Sequence, residues 1–205
     1  MLHSSSKKPE SNTKEGAALN IRIATPQDAA LIHETYGYYI AHTMINFAEE
    51  NLSVEERRDE IISLLENYPV LVAEDESGRF LGFACGEPFR SKSSYRYTVE
   101  LTIYLHPSAP KRHGAGSALY QALLAMLAEQ GYCTALGVIY AQNESSIALH
   151  ERLGFKKVTV LENIACKHGQ WLDAVIYAKE LNPYRSHPPA IIPFREYRKG
   201  LVSQP

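Results

Sequence analysis

Cysteine is scarce in this chain and scattered where it occurs. Cys85, Cys133 and Cys166 are the three in 205 residues, an odd number with no C-x-x-C pair. A disulfide framework and a thiolate zinc site are both disfavoured, and a reducing compartment is expected. Charge of one sign is lacking as well. Lys plus Arg total 21 against 23 Asp plus Glu, a formal charge of −2, so no basic field exists to draw in nucleic acid or anionic lipid. No apolar run approaches the roughly 20 residues of a membrane helix. The polar stretch 1–18 has no apolar segment of the secretory kind, so a cytoplasmic location is expected. The eight histidines include no H-E-x-x-H and no clustered ligand spacing, which disfavours a metallohydrolase and leaves no metal expected. Ser117 follows Gly116 without a G-x-S-x-G elbow, which disfavours a serine hydrolase.

What is present is globular. Hydrophobic residues make up 45% and charged residues 21%, enough to build a packed core. Residues 1–19 read as a disordered arm, 20–182 as the folded unit, and 183–205 as a proline-rich tail. The five prolines of that tail prevent one continuous helix or central strand, while Tyr184, Phe194 and Tyr197 offer apolar surface to the domain or a partner. Within 20–182 the pattern predicts a first strand at Asn20–Ala24, then a helix opened by Thr25-Pro26-Gln27-Asp28 and running to about His42. A second capping box, Ser53-Val54-Glu55-Glu56, opens a helix with Ile61, Leu64 and Leu65 on one face, ending before Pro69. Val70–Asp75 and Phe80–Gly86 form a hairpin, and Tyr95–Leu105 is the longest strand. An apolar helix at 115–130, a strand at Thr134–Tyr140, a helix at Glu144–Leu153 closed by Gly154, and strands at Phe155–Cys166 and Leu172–Leu181 complete the order. Hairpins mixed with crossovers indicate an α/β (α+β) fold, a mixed sheet flanked by helices.

Three segments can carry chemistry. Lys111-Arg112-His113-Gly114-Ala115-Gly116-Ser117 sits between a long strand and an apolar helix. Its glycines let backbone N–H groups converge at a helix N-terminus, with two cations beside them, an arrangement suited to a pyrophosphate. The plainer alternative is a loop that merely starts a helix. It is neither a P-loop nor a dinucleotide fingerprint, because no GK[ST] follows and Leu119 stands at the third glycine position. In Asn143-Glu144-Ser145-Ser146-Ile147-Ala148-Leu149-His150, Asn143 caps a helix and His150 lies two turns on, on the same face. Asn143 as a cap alone, and an inert helical histidine, are the alternatives. In the run Thr98 to Leu105, alternation sets Thr98, Glu100, Thr102 and Tyr104 on one side of the strand. A carboxylate in mid-strand is costly unless it faces a wet cleft or a partner, so Glu100 is the strongest candidate among the glutamates, with a cross-strand salt bridge as the alternative.

In this order and spacing the three segments resemble the GCN5-related N-acetyltransferase superfamily, and within it the phosphinothricin or methionine sulfoximine N-acetyltransferase branch. The resemblance spans Ile21 to Leu181. Lys111-x-x-Gly114-x-Gly116 is similar to the superfamily's [Q/R]-x-x-G-x-[G/A], with Lys in place of Gln or Arg. Asn46-Phe47, the Tyr-x-x-Thr-Val-Glu run ending at Glu100, Leu-His-x-x-Leu-Gly-Phe at 149–155 and Lys-His-Gly-x-Trp-x-Asp at 167–173 resemble the branch.

The resemblance implies a mostly antiparallel sheet with a V-shaped split between the fourth and fifth strands, where acetyl-CoA lies. It implies cofactor contacts from Ile103, Tyr104 and Leu105, from Lys111, Arg112, His113, Gly114, Ala115, Gly116 and Ser117, and from Asn143. Glu100 becomes the base, since an amine attacks a thioester only when deprotonated. His150 becomes either a proton donor or a group that positions the cofactor. For a small amine acceptor, the branch implies Phe47 as an aromatic wall, Arg90 and Lys92 as a basic loop, and Glu100 and Thr102 beside them. It also implies a homodimer, with Lys167 and His168 reaching toward a neighbouring cleft. The expected reaction is acetylation of the α-amino group of an amino-acid analogue. Another amine (a polyamine or protein N-terminus), or a non-catalytic acyl-CoA-binding module, remains the alternative.

Overall fold

The computed structural model describes residues 19–111 and 113–202. Chain order is β1 (Asn20–Ile23), α1 (Ala29–His42), α2 (Val54–Asn67), β2 (Val70–Glu74), β3 (Phe80–Pro88), β4 (Thr98–Leu105), α3 (Ala115–Gln130), β5 (Thr134–Tyr140), α4 (Glu144–Arg152), β6 (Lys156–Lys167), β7 (Gln170–Glu180) and α5 (Phe194–Val202). The strands form one seven-stranded sheet in the order β1-β2-β3-β4-β5-β7-β6. Every neighbouring pair is antiparallel except β4 and β5.

Local sequence explains the boundaries. The Asp28 carboxylate accepts from the Thr25 amide at 2.7 Å and the Thr25 hydroxyl at 3.0 Å, fixing the turn into α1. Arg22 then pairs with both Asp28 and Glu74, tying that turn to the β1–β2 edge. Ser53 and Glu56 cap α2 reciprocally, at 2.8 and 3.2 Å. The β2–β3 hairpin closes on Asp75, whose carboxylate accepts from the Ser77 and Arg79 amides. The fourth strand is shorter at its start than the sequence pattern predicts. Ser93–Tyr95 winds into a 3₁₀ turn instead, with the Tyr95 and Arg96 amides donating back to Lys92 and Ser93 carbonyls.

The sheet separates two apolar layers. One side packs Leu71, Leu81, Val99 and Leu101 against Leu119, Leu123 and Leu127 of α3. The other packs Val70, Val72, Phe83 and Cys85 against Ile32 of α1 and Ile61 and Leu65 of α2. Phe194, at the start of α5, is wholly buried in this second layer. The approach to it is fixed by Gln130, whose amide donates to the Asn67 and Ile192 carbonyls at 2.9 and 2.8 Å. Proline forbids a helix through the whole tail, but α5 begins only after Pro193, whose carbonyl accepts its first amides. Among the described residues, no helix is long and apolar enough to cross a membrane.

The sheet opens at its centre. Pairing of β4 with β5 runs through Thr98–Thr134, Val99–Ala135 and Glu100–Leu136 and goes no further. The His106 amide donates to the Leu81 carbonyl, so by alternation the backbone groups of Ile103 and Leu105 point away from β3 and into this split.

Candidate active site

The split leads into two adjoining cavities. The outer one, of about 580 Å³, is lined by Ile103, Tyr104 and Leu105 of β4, by His113 and Gly114–Ser117 at the start of α3, and by Asn143, Leu149 and Arg152. The inner one, of about 170 Å³, is lined by Phe47, Glu100, Thr102, Tyr120, Gly137 and His150, with Asn143 at its junction with the outer cavity. Two rows on α4 and its cap reach the cavities. Ser145, Leu149 and Arg152, at i, i+4 and i+7, line the outer one, while in the row Asn143, Ser146 and His150, at i, i+3 and i+7, the first two line both and His150 lines the inner one.

The floor of the outer cavity is the N-terminus of α3. Gly114 is its cap at φ 84°, a left-handed conformation that suits glycine. The first helical bond runs from the Ala118 amide to the Gly114 carbonyl, so the three preceding N–H groups have no partner within the helix. Arg152 brings a cation to this point: its Nη2 donates to Ser117 Oγ at 2.9 Å. Sequence reasoning missed Arg152, although its place on the Ser145–Leu149 row was readable from helical spacing. Lys111 is exposed and lines neither cavity. Arg112 lies outside the described residues. Asn143 caps α4 with Oδ1, which accepts from the Ser146 amide at 3.2 Å and leaves its Nδ2 end to donate elsewhere. The Leu105 carbonyl accepts from the Tyr39 hydroxyl at 3.0 Å, a second contact the sequence did not suggest.

His150 is buried behind the inner cavity. Its Nδ1 lies 2.8 Å from the Ser146 carbonyl, which can only accept, so Nδ1 carries the proton. Nε2 is then the acceptor, 3.3 Å from the Tyr120 hydroxyl. Burial lowers the histidine's pKa, partly opposed by the bond to Ser146, and keeps the ring neutral. Burial also pushes the Tyr120 hydroxyl far up, so it stays protonated. Only glycine fits opposite: a Cβ on Gly137 would come within 2.3 Å of His150 Nε2. Tyr120 had been hidden in the apolar pattern of α3, one residue beyond Leu119.

Glu100 stands half-buried on the wall of the inner cavity. Burial raises its pKa, the neighbouring Glu87 raises it further, and Arg90 acts in the opposite direction. Arg90 and Lys92 are both exposed. Arg90 sits over the Phe89 ring, its guanidinium carbon 5.2 Å from the centroid, while Lys92 caps the 3₁₀ turn through its backbone, and neither lines a cavity. Phe47 reaches the inner cavity on a segment held by Lys167. That lysine, expected to reach a neighbouring cleft, is wholly buried in its own chain, where Nζ donates to the Thr43 and Asn46 carbonyls at 3.0 and 2.8 Å. The His168 amide donates to Glu49 in the same chain. Among the described residues there is no cluster of His, Cys, Asp or Glu able to hold a metal.

A mixed sheet split beside a glycine-capped helix, with a carboxylate in the inner cavity, suits a transferase whose extended anionic co-substrate lies in the split. The profile of the acetyltransferase (GNAT) domain matches residues 21–176, and the chain belongs to this family. It is an N-acetyltransferase with acetyl-CoA as its co-substrate. Phosphinothricin N-acetyltransferase of Streptomyces viridochromogenes is 34% identical over 166 residues, covering 81% of this chain and 90% of the relative. L-methionine sulfoximine/L-methionine sulfone acetyltransferase of Salmonella typhimurium is 33% identical, covering 81% and 96%. The crystal structure of a phosphinothricin acetyltransferase from Sinorhizobium meliloti in complex with acetyl-CoA superposes with a TM-score of 0.80 at 32% identity, over 88% of this chain and 98% of that one.

Proposed function

We propose that this enzyme acetylates the α-amino group of a small amino-acid analogue bearing a tetrahedral polar end, of the phosphinothricin, methionine sulfoximine or methionine sulfone type, with Glu100 as the base. One observation carries the reading: an inner cavity of about 170 Å³ gathers Glu100, Thr102, Phe47 and the Tyr120–His150 pair. That volume suits an amino acid, well below the roughly 300–1,000 Å³ of sites for drug-sized ligands. The names of the relatives support the acceptor class.

The residues of the outer cavity fit acetyl-CoA, which supplies the activated acetyl thioester. The free N–H groups at the start of α3, with Arg152, would hold its pyrophosphate. The outward backbone groups of Ile103 and Leu105 and the Asn143 amide would hold its arm. Glu100 takes the proton from the acceptor's ammonium, and its raised pKa makes it a stronger base than an exposed glutamate. His150, with Nδ1–H committed to Ser146, offers only a lone pair toward Tyr120. We therefore assign His150 to holding the Tyr120 hydroxyl as a fixed wall of the cavity, and the departing sulfur takes the second proton that the acceptor's nitrogen sheds as the amide forms. Residues 20–182 are proposed as the catalytic domain. The apolar residues exposed on β6 and β7, Val158, Ile164 and Trp171, suit a homodimer contact, and the three unpaired cysteines suit the cytoplasm.

The test is a panel of amines offered with acetyl-CoA while thiol release is followed. Phosphinothricin, methionine sulfoximine and methionine sulfone should be the preferred acceptors. Preferred turnover of a polyamine or a peptide N-terminus would overturn the acceptor assignment, and thiol release from none of the amines would overturn the proposed reaction.

A further inference from the structure

Glu87 is a titratable group beside Glu100 to which the reaction above gives no part. It stands near the end of β3, directly opposite Glu100 in the β3–β4 register. Residues so paired have Cβ atoms about 4.5–5.5 Å apart on one face of the sheet, and like charges there repel. The repulsion is not relieved by a salt bridge. Among the described residues, Glu87 accepts a hydrogen bond from the Cys85 thiol at 3.4 Å and forms no ion pair.

The groups facing this pair come from every element packed on that side. β3 contributes the buried Cys85 and β4 contributes the half-buried Tyr104. From α1 comes Tyr36, and from α2 come Arg57 and Glu60. Arg57 is bonded to Glu60 and lies over the Tyr36 ring at 3.9 Å. The loop after β3 contributes Arg90, which faces Glu100. Two carboxylates are thus held side by side with one exposed arginine near them.

We propose that Glu87 is a positioning residue for acetyl transfer, which keeps a negative charge across the ladder from Glu100 and so strengthens Glu100 as the acceptor of the ammonium proton. The inference rests on Glu100 being the base. One proton passes from the acceptor's ammonium to Glu100, the freed lone pair forms the amide bond as the thioester C–S bond breaks, and the second proton shed by the nitrogen goes to the departing thiolate. Glu87 itself exchanges no proton. Its charge opposes ionisation of Glu100, and so favours the protonated carboxyl to which the reaction leads.

The experiment compares kcat/KM against pH for the wild type, Glu87→Gln, Glu87→Asp and Glu100→Gln. The acid limb of this profile reports the base of the free enzyme. Glu87→Gln should move that limb about one pH unit lower, a roughly tenfold weaker base, and lower the plateau about threefold. Glu87→Asp keeps the charge and should restore more than half of the shift. The KM for acetyl-CoA and the melting temperature should not fall in either. An acid limb unmoved in Glu87→Gln, with Glu100→Gln crippled, would overturn the role of Glu87 alone. A Glu100→Gln variant that keeps both its rate and its acid limb would instead overturn the base assignment on which the proposal stands.

Discussion

Replacing Ser117 by aspartate separates two properties of the α3 N-terminus that most substitutions there would confuse. Ser117 is the third residue of a helix capped by Gly114, and the N–H groups beside it have no partner within the helix. A carboxylate in the first turn complements the helix dipole and stabilises by about 0.3–1 kcal/mol. Arg152, now 2.9 Å from the serine oxygen, would pair with it and add at most about 1 kcal/mol at an exposed site. For a domain of this size 1 kcal/mol corresponds to about 2–4 °C, so the melting temperature should hold or rise slightly. Binding should move the other way. Two unit charges 4 Å apart repel by about 4 kcal/mol at an effective dielectric of about 20, and in a cavity open to solvent we take about half of that. A loss of about 2 kcal/mol is roughly 30-fold in Kd for acetyl-CoA. Calorimetric titration beside a thermal melt measures both. Unchanged affinity in a stable variant would refute the pyrophosphate assignment, whereas loss of affinity together with a fall in melting temperature would mean that the helix itself had been damaged.

Four other substitutions probe the rest of the site. Glu100→Gln should leave acetyl-CoA affinity nearly intact while kcat falls by roughly 10²–10⁴, and a variant within a few-fold of wild type would make Glu100 structural. Arg90→Ala should raise the KM for the amino-acid analogue without changing that for acetyl-CoA. Arg90 lines neither cavity and acts through its charge beside Glu100, so the effect should be only a few-fold. If cofactor affinity falls instead, the basic loop serves CoA. Tyr120→Phe leaves the buried His150 Nε2 without its donor at about 1–3 kcal/mol, so the melting temperature should fall by a few degrees while kcat changes only a few-fold; a fall in kcat of about 10²-fold or more would make the Tyr120 hydroxyl the proton donor to sulfur. Lys167→Met leaves two buried carbonyls without their donor at about 1–3 kcal/mol each, so the melting temperature should drop by several degrees. The acceptor KM should rise more than the acetyl-CoA KM, because the freed segment carries Phe47; equal effects on both would argue against a specific hold on the acceptor wall.

How much of this was legible in the sequence depended on how local each signal is. Caps and helical rows are written within a few residues, so the α2 capping box, the Asn143 cap and the Asn143–His150 face could be read directly. Alternation along β4 placed Glu100 and Thr102 on one side, and both line the inner cavity. The split itself has no local signature. It exists because β5 pairs with β4 for three residues and then diverges, and it entered the sequence reading only through family resemblance. Lys167 shows the same limit from another direction. Its neighbours Lys-His-Gly suggest a hairpin turn on the surface, and nothing near it reveals two carbonyls from residues 43 and 46 waiting in the core. Glu87 is the sharpest case. Gly86-Glu87-Pro88 reads as the frayed end of a strand, and the significance of the glutamate depends wholly on how β3 is registered against β4. A slip of one residue would turn it to the opposite face. That register is set by the loop between the two strands, whose 3₁₀ turn at Ser93–Tyr95 was itself missed by a reading that extended the strand back to Tyr95. The error at the start of β4 and the omission of Glu87 therefore have one origin: alternation shows which residues of a strand share a face, and only the connection between strands shows which of them meet.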